Sequence, residues 1–381
     1  MSIAERPVIA GPTYAARLAA AVAATESAGL DAACIGVGSD LQYLTGYAAM
    51  PLERLTMLVL RPGSAPFLVV PRLERGAAEA AIHVPLEIVA WEETADPYGM
   101  AVDGLPRGPR IAVSDTLLAM HLVRLQAAVE SGGDWSLASV LLRDLRMIKD
   151  RHEVALLGLA AEAADRVVEH IAGGRLIGRT ERDVAREVRE RLVAEGHDES
   201  RFAIVGSGPN SASPHHDASD RVIEAGEPIV LDIGGSLGGY GSDITRTLWV
   251  TGGKPGRGPD GRFGAMYEVL REAQAAASRA VRPGVACEAV DAAARDPITA
   301  AGYGEAFFHR TGHGIGLDGH EDPYIVAGND LPLRAGMAFS VEPGIYFPGA
   351  FGARIEDIVV CGEDGPIVLD GVSRALLVVD G

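Results

Sequence analysis

Apolar and polar positions alternate differently in the first and second parts of the chain. In the first part, a helical period over residues 12–29 ends at Gly29, a residue type that commonly terminates helices. Short apolar runs and further helical stretches follow. The predicted strands are Ala32–Val37, Leu55–Leu60, Phe67–Val70, Leu86–Ala90 and Arg110–Val113, and the predicted helices are Arg72–Ala81 and Thr116–Glu130. Strands mixed with helices predict an α/β domain that ends near the glycine-containing segment Ser131–Trp135.

The second part of the chain repeats one arrangement twice: two helices, a loop that carries histidine, and a pair of strands. The first set comprises helices at Arg151–Ala172 and Thr180–Glu195 and a strand pair over Pro228–Val250, and the second comprises helices at Phe263–Val281 and Cys287–Ala301 and a strand pair over Met337–Val360. A further helix is predicted at Ser136–Ile148. We therefore predict an α/β domain over residues 1–135 and an α+β domain with an internal duplication over residues 136–381.

Two aspartates interrupt the first strand pair at positions where the apolar pattern predicts buried residues. Asp232 follows the run Ile229–Leu231, and Asp243 precedes Ile244. A buried carboxylate must be protonated, hydrogen-bonded or bound to a cation, because an unpaired charge in an apolar strand is costly. Two such groups on adjacent strands can share a cation. The plainer alternative is a pair of strand-end aspartates that cap turns.

The second strand pair carries the same anomaly, because Glu342 and Glu356 lie inside apolar runs. Glu342 follows Asp232 by 110 residues (342 − 232), and His313 follows His215 by 98 (313 − 215), although the two copies share little identity. If the copies pack face to face, four carboxylates meet in one cleft with His313, whose glycine neighbours allow close approach. This convergence favours a metal site over turn caps.

Four carboxylates and one imidazole form a hard, mainly oxygen donor set that suits two divalent ions such as manganese, cobalt, iron or zinc. Two ions that bind one water lower its pKa towards neutrality and so provide a hydroxide nucleophile. A proton shuttle and a donor to the tetrahedral oxyanion are then required. His215 and His320 are the candidates, because each lies beside a ligand-bearing segment; a structural role is the alternative for both.

Composition narrows the choice of partners. The net charge of −18 argues against nucleic acid and anionic membranes as partners. The three cysteines, Cys34, Cys287 and Cys361, form no metal-binding spacing, so we expect buried thiols in a reducing compartment. Because the chain has no apolar run of 18 residues and its N-terminal segment lacks the features of a signal peptide, we expect a cytoplasmic protein without a membrane partner.

The motifs around these residues resemble those of the pita-bread metallopeptidases, family M24. The five predicted ligands are Asp232 in LDIGG, Asp243 in SDITRT, His313 in TGHGIGL, Glu342 in VEPGIY and Glu356 in RIED. The preceding α/β domain makes the proline-specific branch, prolidase and aminopeptidase P, a closer match than methionine aminopeptidase. The resemblance covers most of the chain and is strongest from Leu145 onward.

Three further positions match residues that this branch uses near substrate, namely His215 in PHHDAS, His320 in GHE and Arg354 in ARIED. The resemblance implies a creatinase-like N-terminal domain and a pita-bread catalytic domain with pseudo-twofold symmetry. It also implies catalytic roles for His215, His320 and Glu342. His216 departs from the family, since many relatives carry a small or aromatic residue there.

The resemblance also implies how the ligands are shared. Asp232 would hold one metal and His313 the other, and Asp243 and Glu356 would bridge them. Glu342 would bind the metal held by His313 and is a candidate general base. His215 and His320 would stabilise the tetrahedral intermediate and, with Arg354, contact the substrate.

The expected function is hydrolysis of the bond before proline in Xaa-Pro dipeptides by a metal-bridged hydroxide. The alternatives are an Xaa-Pro aminopeptidase that acts on longer peptides and another metal-dependent amidohydrolase of this fold. We expect two metal ions, with manganese first and cobalt, zinc or iron as alternatives. The family also implies a homodimer.

Five other interpretations compete with this function. The segment Gly234–Gly238 fits the G-x-S-x-G motif of serine hydrolases, but a nucleophile elbow leads into a helix, whereas a strand is predicted here. The glycine-rich segments do not fit a dinucleotide fingerprint, and HExxH is absent. Creatinase-like relatives act without metal and others only bind; the complete ligand set argues against both.

Overall fold

A computed structural model of the chain describes residues 6–254 and 258–381. The chain forms two compact units, one of residues Val8–Arg146 and the other of Met147–Gly381 together with Arg6 and Pro7. The domain boundary after residue 135 stays a prediction. Residue 135 lies in a strand of the first unit, and the chain passes into the second unit between Arg146 and Met147.

The first unit is built on a six-stranded mixed sheet. Its strands are β1 (Ala32–Gly36), β2 (Met57–Leu60), β3 (Phe67–Pro71), β4 (Glu87–Trp91), β5 (Arg110–Val113) and β6 (Asp134–Leu137), and its helices are α1 (Gly11–Ser27), α2 (Ser39–Thr45), α3 (Arg75–Ala81), α4 (Pro97–Val102), α5 (Ala119–Ala128) and α6 (Ser139–Met147). The strand order is β4-β3-β2-β1-β5-β6. β1 and β2 are buried along their whole length, as expected for a sheet covered by helices. The predicted α/β architecture is confirmed.

Sequence periodicity misplaced or missed some elements of this unit. The helix predicted over Ser136–Ile148 begins later, at Ser139, because the chain up to Leu137 pairs with β5. Helices α2 and α4 have only seven and six residues, so neither is long enough to show a clear helical period.

The catalytic unit begins with two helices that pack on an antiparallel sheet. These elements are α7 (Arg151–Ala172), α8 (Glu181–Ala194), β7 (Glu199–Ser207), β8 (Glu227–Leu237), β9 (Tyr240–Gly241) and β10 (Ile244–Val250). Asp150 and Glu153 form a capping box that begins α7, and the Thr180 hydroxyl accepts the backbone N–H of Asp183 at the start of α8. We call residues 151–250 the first copy.

The second copy, residues 261–361, has the same arrangement of two helices followed by an antiparallel sheet. Its elements are α9 (Gly261–Ala280), α10 (Cys287–Ala300), β11 (Gly312–Gly314), β12 (Glu321–Ile325), β13 (Ala338–Val341), β14 (Gly344–Phe347), β15 (Phe351–Arg354) and β16 (Asp357–Cys361); β17 (Pro366–Val368) and β18 (Leu377–Val379) follow. The sheets run β18-β10-β8-β7 and β12-β11-β13-β16-β17. The predicted duplication is confirmed.

The strand pair predicted over Met337–Val360 is four strands in the structure. β13 pairs with β16, and β14 pairs with β15 as a separate hairpin. Pro343 lies between β13 and β14 and has no backbone N–H, so it cannot continue the ladder. The interruption leaves Glu342 and Glu356 at strand ends instead of inside one continuous pair of strands.

Candidate metal centre

The two aspartates of the first copy lie side by side, as the strand pattern predicts. Asp232 is in β8, opposite Thr245 of β10, and Asp243 directly precedes β10. The turn between the two arms uses Gly238 and Gly239, both with positive φ (60° and 86°), a conformation that a side chain would strain. Both carboxylates are buried.

His313 comes from the second copy, on the short strand β11 between two glycines. A Cβ at Gly312 would lie 1.8 Å from the Ser340 carbonyl oxygen, and one at Gly314 would lie 2.3 Å from the Asp322 carbonyl oxygen. Only glycine therefore allows the neighbouring strands to approach β11 this closely. The glycines of the TGHGIG segment hold His313 at a fixed depth in the sheet.

The two copies meet at these residues. The Glu356 backbone N–H donates to the Thr245 carbonyl (3.1 Å), and the Thr245 hydroxyl donates to Glu356 Oε2 (2.7 Å). Ligand atoms of Asp232, Asp243 and Glu356 lie within 4.8 Å of one another, and so do those of His313, Glu342 and Glu356. The five predicted ligands therefore converge in two overlapping groups that share Glu356.

Burial of these carboxylates disfavours their charged forms. Burial and then the charges of Asp232 and Glu342 raise the pKa of Asp243 well above its usual range. Burial and then the charge of Asp243 do the same to the pKa of Glu356, and burial raises the pKa of Glu342 to about 7. The cluster is thus short of positive charge, a deficit that divalent cations would remove.

Two details of the predicted ligands are those expected of a metal site. Within the described residues, Asp232 Oδ1 is buried and has no hydrogen-bond partner. His313 Nδ1 lies 3.1 Å from the Gly314 carbonyl oxygen, which fixes Nδ1 as the protonated nitrogen and leaves the lone pair of Nε2 free. Nε2 lies 3.4 Å from Glu342 Oε1 and 3.7 Å from Asp243 Oδ2. These residues suit hard divalent cations.

Arg354 is the buried cation beside the cluster, and its five N–H groups are directed at protein atoms. Nη2 donates to Asp232 Oδ2 and to the Pro214 carbonyl (3.3 Å), and Nη1 donates to the same carbonyl (3.2 Å) and to Tyr346 Oη (3.0 Å). Nε donates to the Thr245 hydroxyl (3.0 Å). Arg354 therefore orients one predicted ligand, and its contact with substrate stays a prediction.

The two predicted catalytic histidines are both exposed. The His320 ring stacks on the His313 ring with 3.6 Å between centroids. His215 lies in the connection between β7 and β8, directly after Pro214, whose carbonyl oxygen accepts from Arg354. Burial, followed by the charges of Arg310 and His215, lowers the pKa of His320. His320 is therefore neutral near pH 7 and able to donate an N–H.

Sequence reasoning missed His309 and Tyr346. His309 Nε2 lies 3.0 Å from Tyr346 Oη, the hydroxyl that accepts from Arg354. Burial and then the charge of Arg354 lower the pKa of His309 to about 4. Its position four residues before His313 was the one available signal, and it is weak because the chain between them is not helical.

The serine-hydrolase alternative is contradicted by the local fold. Gly234–Leu237 continues β8 and does not turn into a helix, so no nucleophile elbow forms. The Ser236 hydroxyl donates to Glu199 Oε1 (3.0 Å).

Fold and ligand cluster together define a metal-dependent hydrolase of the pita-bread type. Residues 155–363 match the model of metallopeptidase family M24, and residues 17–148 match the Creatinase/Prolidase N-terminal domain. The chain belongs to metallopeptidase family M24 and is a metallopeptidase. The resemblance read from the sequence motifs is confirmed.

Relatives match along nearly the whole chain. A probable dipeptidase PepE of Mycobacterium tuberculosis is 50% identical over 370 residues, which is 96% of both chains. An Xaa-Pro dipeptidase of Lactobacillus helveticus is 36% identical over 346 residues, or 88% of this chain and 91% of that one. The crystal structure of recombinant prolidase from Thermococcus sibiricus superposes with a TM-score of 0.89 at 35% identity, covering 96% and 98% of the two chains.

None of the helices in the described parts of the chain is both long and apolar enough to cross a membrane.

Proposed function

We propose that the protein is an Xaa-Pro dipeptidase that uses two divalent metal ions, with manganese the first choice and cobalt, zinc or iron as alternatives. The observation that carries the proposal is the convergence of one histidine, three buried carboxylates and the half-buried Glu342 from two copies of one unit. The 36% identity to an Xaa-Pro dipeptidase supports the substrate class.

The ligands divide into two groups in this proposal. Asp232 would hold one metal and His313 with Glu342 the other, and Asp243 and Glu356 would serve both. Glu356 groups both with Asp232 and with His313, and so does Asp243, which supports this division. When bound, the metals would supply Lewis-acid activation of water and of the scissile carbonyl.

The chain's own groups supply proton transfer and orientation. Glu342 is proposed as the general base that takes and returns a proton, because its carboxylate lies in the ligand group with His313 and Glu356. His320, whose ring stacks on that of His313, and His215, which lies close enough to act on the pKa of His320, are both exposed and would donate N–H groups to the developing oxyanion in this scheme. Arg354 holds Asp232 in place through its guanidinium.

The pocket for proline is proposed to include the rings of Phe308, His309 and Tyr346. The Phe308 and Tyr346 ring centroids are 5.4 Å apart, those of His309 and Tyr346 are 5.5 Å apart, and Phe308 is exposed. A pyrrolidine ring offers apolar surface, and its amide nitrogen carries no N–H in the substrate, so ring contacts suit it better than an acceptor would.

Dipeptide preference is proposed to depend on Arg310. This exposed residue stacks over the Tyr324 ring at 4.5 Å, and its charge acts on His320 and Glu342. A cation beside the cluster favours substrates whose proline carries a free carboxylate.

The proposal extends to location and assembly. We infer a cytoplasmic homodimer whose substrates are small peptides, with neither nucleic acid nor a membrane as partner. The net charge of −18 supports the exclusion of polyanionic partners. Light scattering of the purified protein tests the dimer.

One assay series tests the substrate. The metal-loaded enzyme is given Xaa-Pro, Xaa-Pro amide, Xaa-Pro-Xaa and Xaa-Ala, and kcat/KM is measured for each. We expect Xaa-Pro to be cleaved fastest, and Arg310→Gln to reduce kcat/KM for Xaa-Pro but not for its amide. Faster cleavage of the tripeptide would favour an aminopeptidase, and cleavage of Xaa-Ala alone would refute proline specificity.

A further inference from the structure

Glu181 is a fully buried carboxylate that is not one of the predicted metal ligands. It is the first residue of α8, and its relative exposure is 0%. The connection between β7 and β8, residues 208–226, carries His215, and we call it the His215 loop. The Glu181 carboxylate is hydrogen-bonded to this loop on both sides of His215 and to Ser207, which precedes the loop.

One oxygen of Glu181 holds the start of the loop. Oε1 accepts the Ser207 backbone N–H (2.8 Å), the Ser207 hydroxyl (2.7 Å) and the Asn210 side-chain amide (3.0 Å). Ser207 is the last residue of β7. The bonds therefore join the end of a sheet strand to the first turn of the loop.

The other oxygen holds the part of the loop that follows His215. Oε2 accepts the Ser219 backbone N–H (3.1 Å), the Ser219 hydroxyl (2.6 Å) and His216 Nε2 (2.7 Å). The His216 ring is therefore turned to Glu181, whereas the neighbouring His215 is exposed. The histidine that departs from the family pattern thus anchors the loop.

These bonds saturate the carboxylate with donors. Burial alone would raise its pKa, but hydrogen bonds from Ser219, Ser207 and His216 lower the pKa of Glu181 to about 2. Glu181 therefore stays ionised across the physiological range and keeps all its donors oriented. A carboxylate with this many donors has no lone pair to offer a metal or a substrate.

We propose that Glu181 is a positioning residue, which fixes the His215 loop on both sides of His215 so that the His215 imidazole is presented to the metal centre. The inference rests on the proposed catalytic role of His215. Arg354 contributes a second anchor through the Pro214 carbonyl, which ties the loop to Asp232 as well.

The test is a double-mutant cycle on the metal-loaded enzyme with an Xaa-Pro substrate. Glu181→Gln replaces one carboxylate oxygen by an amide N–H₂, which cannot accept hydrogen bonds. The donors that now bond to that oxygen are therefore released, on one side of His215. We expect kcat to fall by about 10–100-fold with KM and metal content nearly unchanged. In a His215→Asn background the same change should cost less than about twofold, because Glu181 acts through His215.

Two matched controls separate positioning from general destabilisation. Glu187→Gln changes a carboxylate on the same helix that pairs with Arg179 and His170, and it should leave kcat unchanged. Asp291→Asn changes a buried carboxylate of the second copy that bonds to Thr311, and its effect should persist fully in the His215→Asn background.

Each outcome of the cycle decides the inference. Wild-type kcat in Glu181→Gln, or a loss that is fully additive with His215→Asn, would overturn it. An inactive His215→Asn with an unaffected Glu181→Gln overturns the positioning role alone, whereas a fully active His215→Asn removes the catalytic role of His215 as well. If Glu181→Gln does not fold, Ser219→Ala takes its place in the cycle, because it removes a single hydrogen-bond donor to Glu181. A severalfold fall in kcat that is not additive with His215→Asn would support the inference. An additive fall, or no fall, would refute it.

Discussion

The two copies of the catalytic unit anchor their histidine segments with the same device. In each copy a buried carboxylate on the second helix accepts the backbone N–H and the hydroxyl of one residue ahead of the histidine. Glu181 accepts these from Ser207 (2.8 and 2.7 Å), and Asp291 accepts them from Thr311 (3.2 and 2.7 Å). Asp291 lies one helical turn deeper in its helix than Glu181 does.

The copies differ in how far the histidine lies from its anchor. His313 is two residues beyond Thr311 on strand β11 and is buried, whereas His215 is eight residues beyond Ser207 and exposed (215 − 207 = 8). A metal ligand must keep one geometry, and a strand provides it. A group that donates to the oxyanion must reach substrate, and an anchored loop lets it do so. In the proposed scheme the duplicated framework would thus serve two different tasks.

The two buried carboxylates, Glu181 and Asp291, also differ in the groups that compensate their charge. Asp291 is paired with Arg295 through two bonds (2.8 and 2.9 Å), and Arg295 also donates to the carbonyls of Phe307 and His309. The segment before His313 is therefore held by a guanidinium in addition to the carboxylate. The donors to Glu181 are two hydroxyls, two backbone N–H groups, an amide and an imidazole. They are spread over a longer stretch of chain, and none of them is a guanidinium.

Removal of a carboxylate shared by the two copies should have the largest effect. We expect Asp243→Ala and Glu356→Ala to lose metal and activity together, with kcat reduced at least about 10³-fold, because each bridges in the proposed scheme. Elemental analysis and peptidase assays of the same preparation measure both. Ser236→Ala, which alters a neighbouring strand residue, is the matched control and should keep both. A fully active Asp243→Ala or Glu356→Ala would contradict the bridging role.

Separate substitution of His313 and His215 tests whether the two histidines have different roles. His313→Asn should lower metal content together with activity, whereas His215→Asn should lower kcat by about 10²–10⁴-fold and keep its metal. Metal stoichiometry and kcat distinguish the two patterns. Loss of metal from His215→Asn would show that the two histidines do not divide the work in this way.

Loss of the second anchor should affect stability. Asp291→Asn leaves the partly buried Arg295 without its carboxylate, and we expect the free energy of unfolding to fall by about 1–3 kcal/mol. Urea unfolding of the metal-loaded protein measures this change. Asp296→Asn, an exposed position on the same helix, should change it by less than about 0.5 kcal/mol. Equal stability of the two variants would mean that the anchor contributes nothing.

The last test concerns the pH dependence of stability in the chelated protein, where catalysis plays no part. Burial raises the pKa of Glu342 from 4.5 to about 7. The stability this group contributes is therefore fully present below about pH 4.5 and is lost as pH rises through about 7. The unfolding free energy of the chelated wild type minus that of chelated Glu342→Gln should fall as pH rises over that range, because only the glutamate acquires a charge. A difference that stays constant with pH would contradict the shifted pKa.

Much of the site was predictable from the sequence because its polar residues differ in type from their neighbours along the chain. Asp232 and Asp243 stand in apolar runs, and glycines flank His313, so each is anomalous within a few residues of sequence. The helix Arg151–Ala172 was predicted to the residue, since its period is long and its capping box is local.

The rest depends on contacts between residues that are distant in sequence. Glu181 and Ser219 are 38 residues apart, and His309 and Tyr346 are 37 apart, so no local pattern marks either pair. β11 has only three residues, too few for an alternation. Such features arise from the packing of the two copies, which a single sequence does not display.

The backbone bond between Thr245 and Glu356 has a consequence for ion selection. It joins the sheet of the first copy to the second at the point where their carboxylates meet, and the Thr245 hydroxyl fixes the Glu356 side chain as well. The main-chain positions of Asp243 and Glu356 are thus tied to each other, because Asp243 directly precedes β10, which carries Thr245. Divalent ions of different radius would therefore have to be accommodated by the two carboxylate side chains.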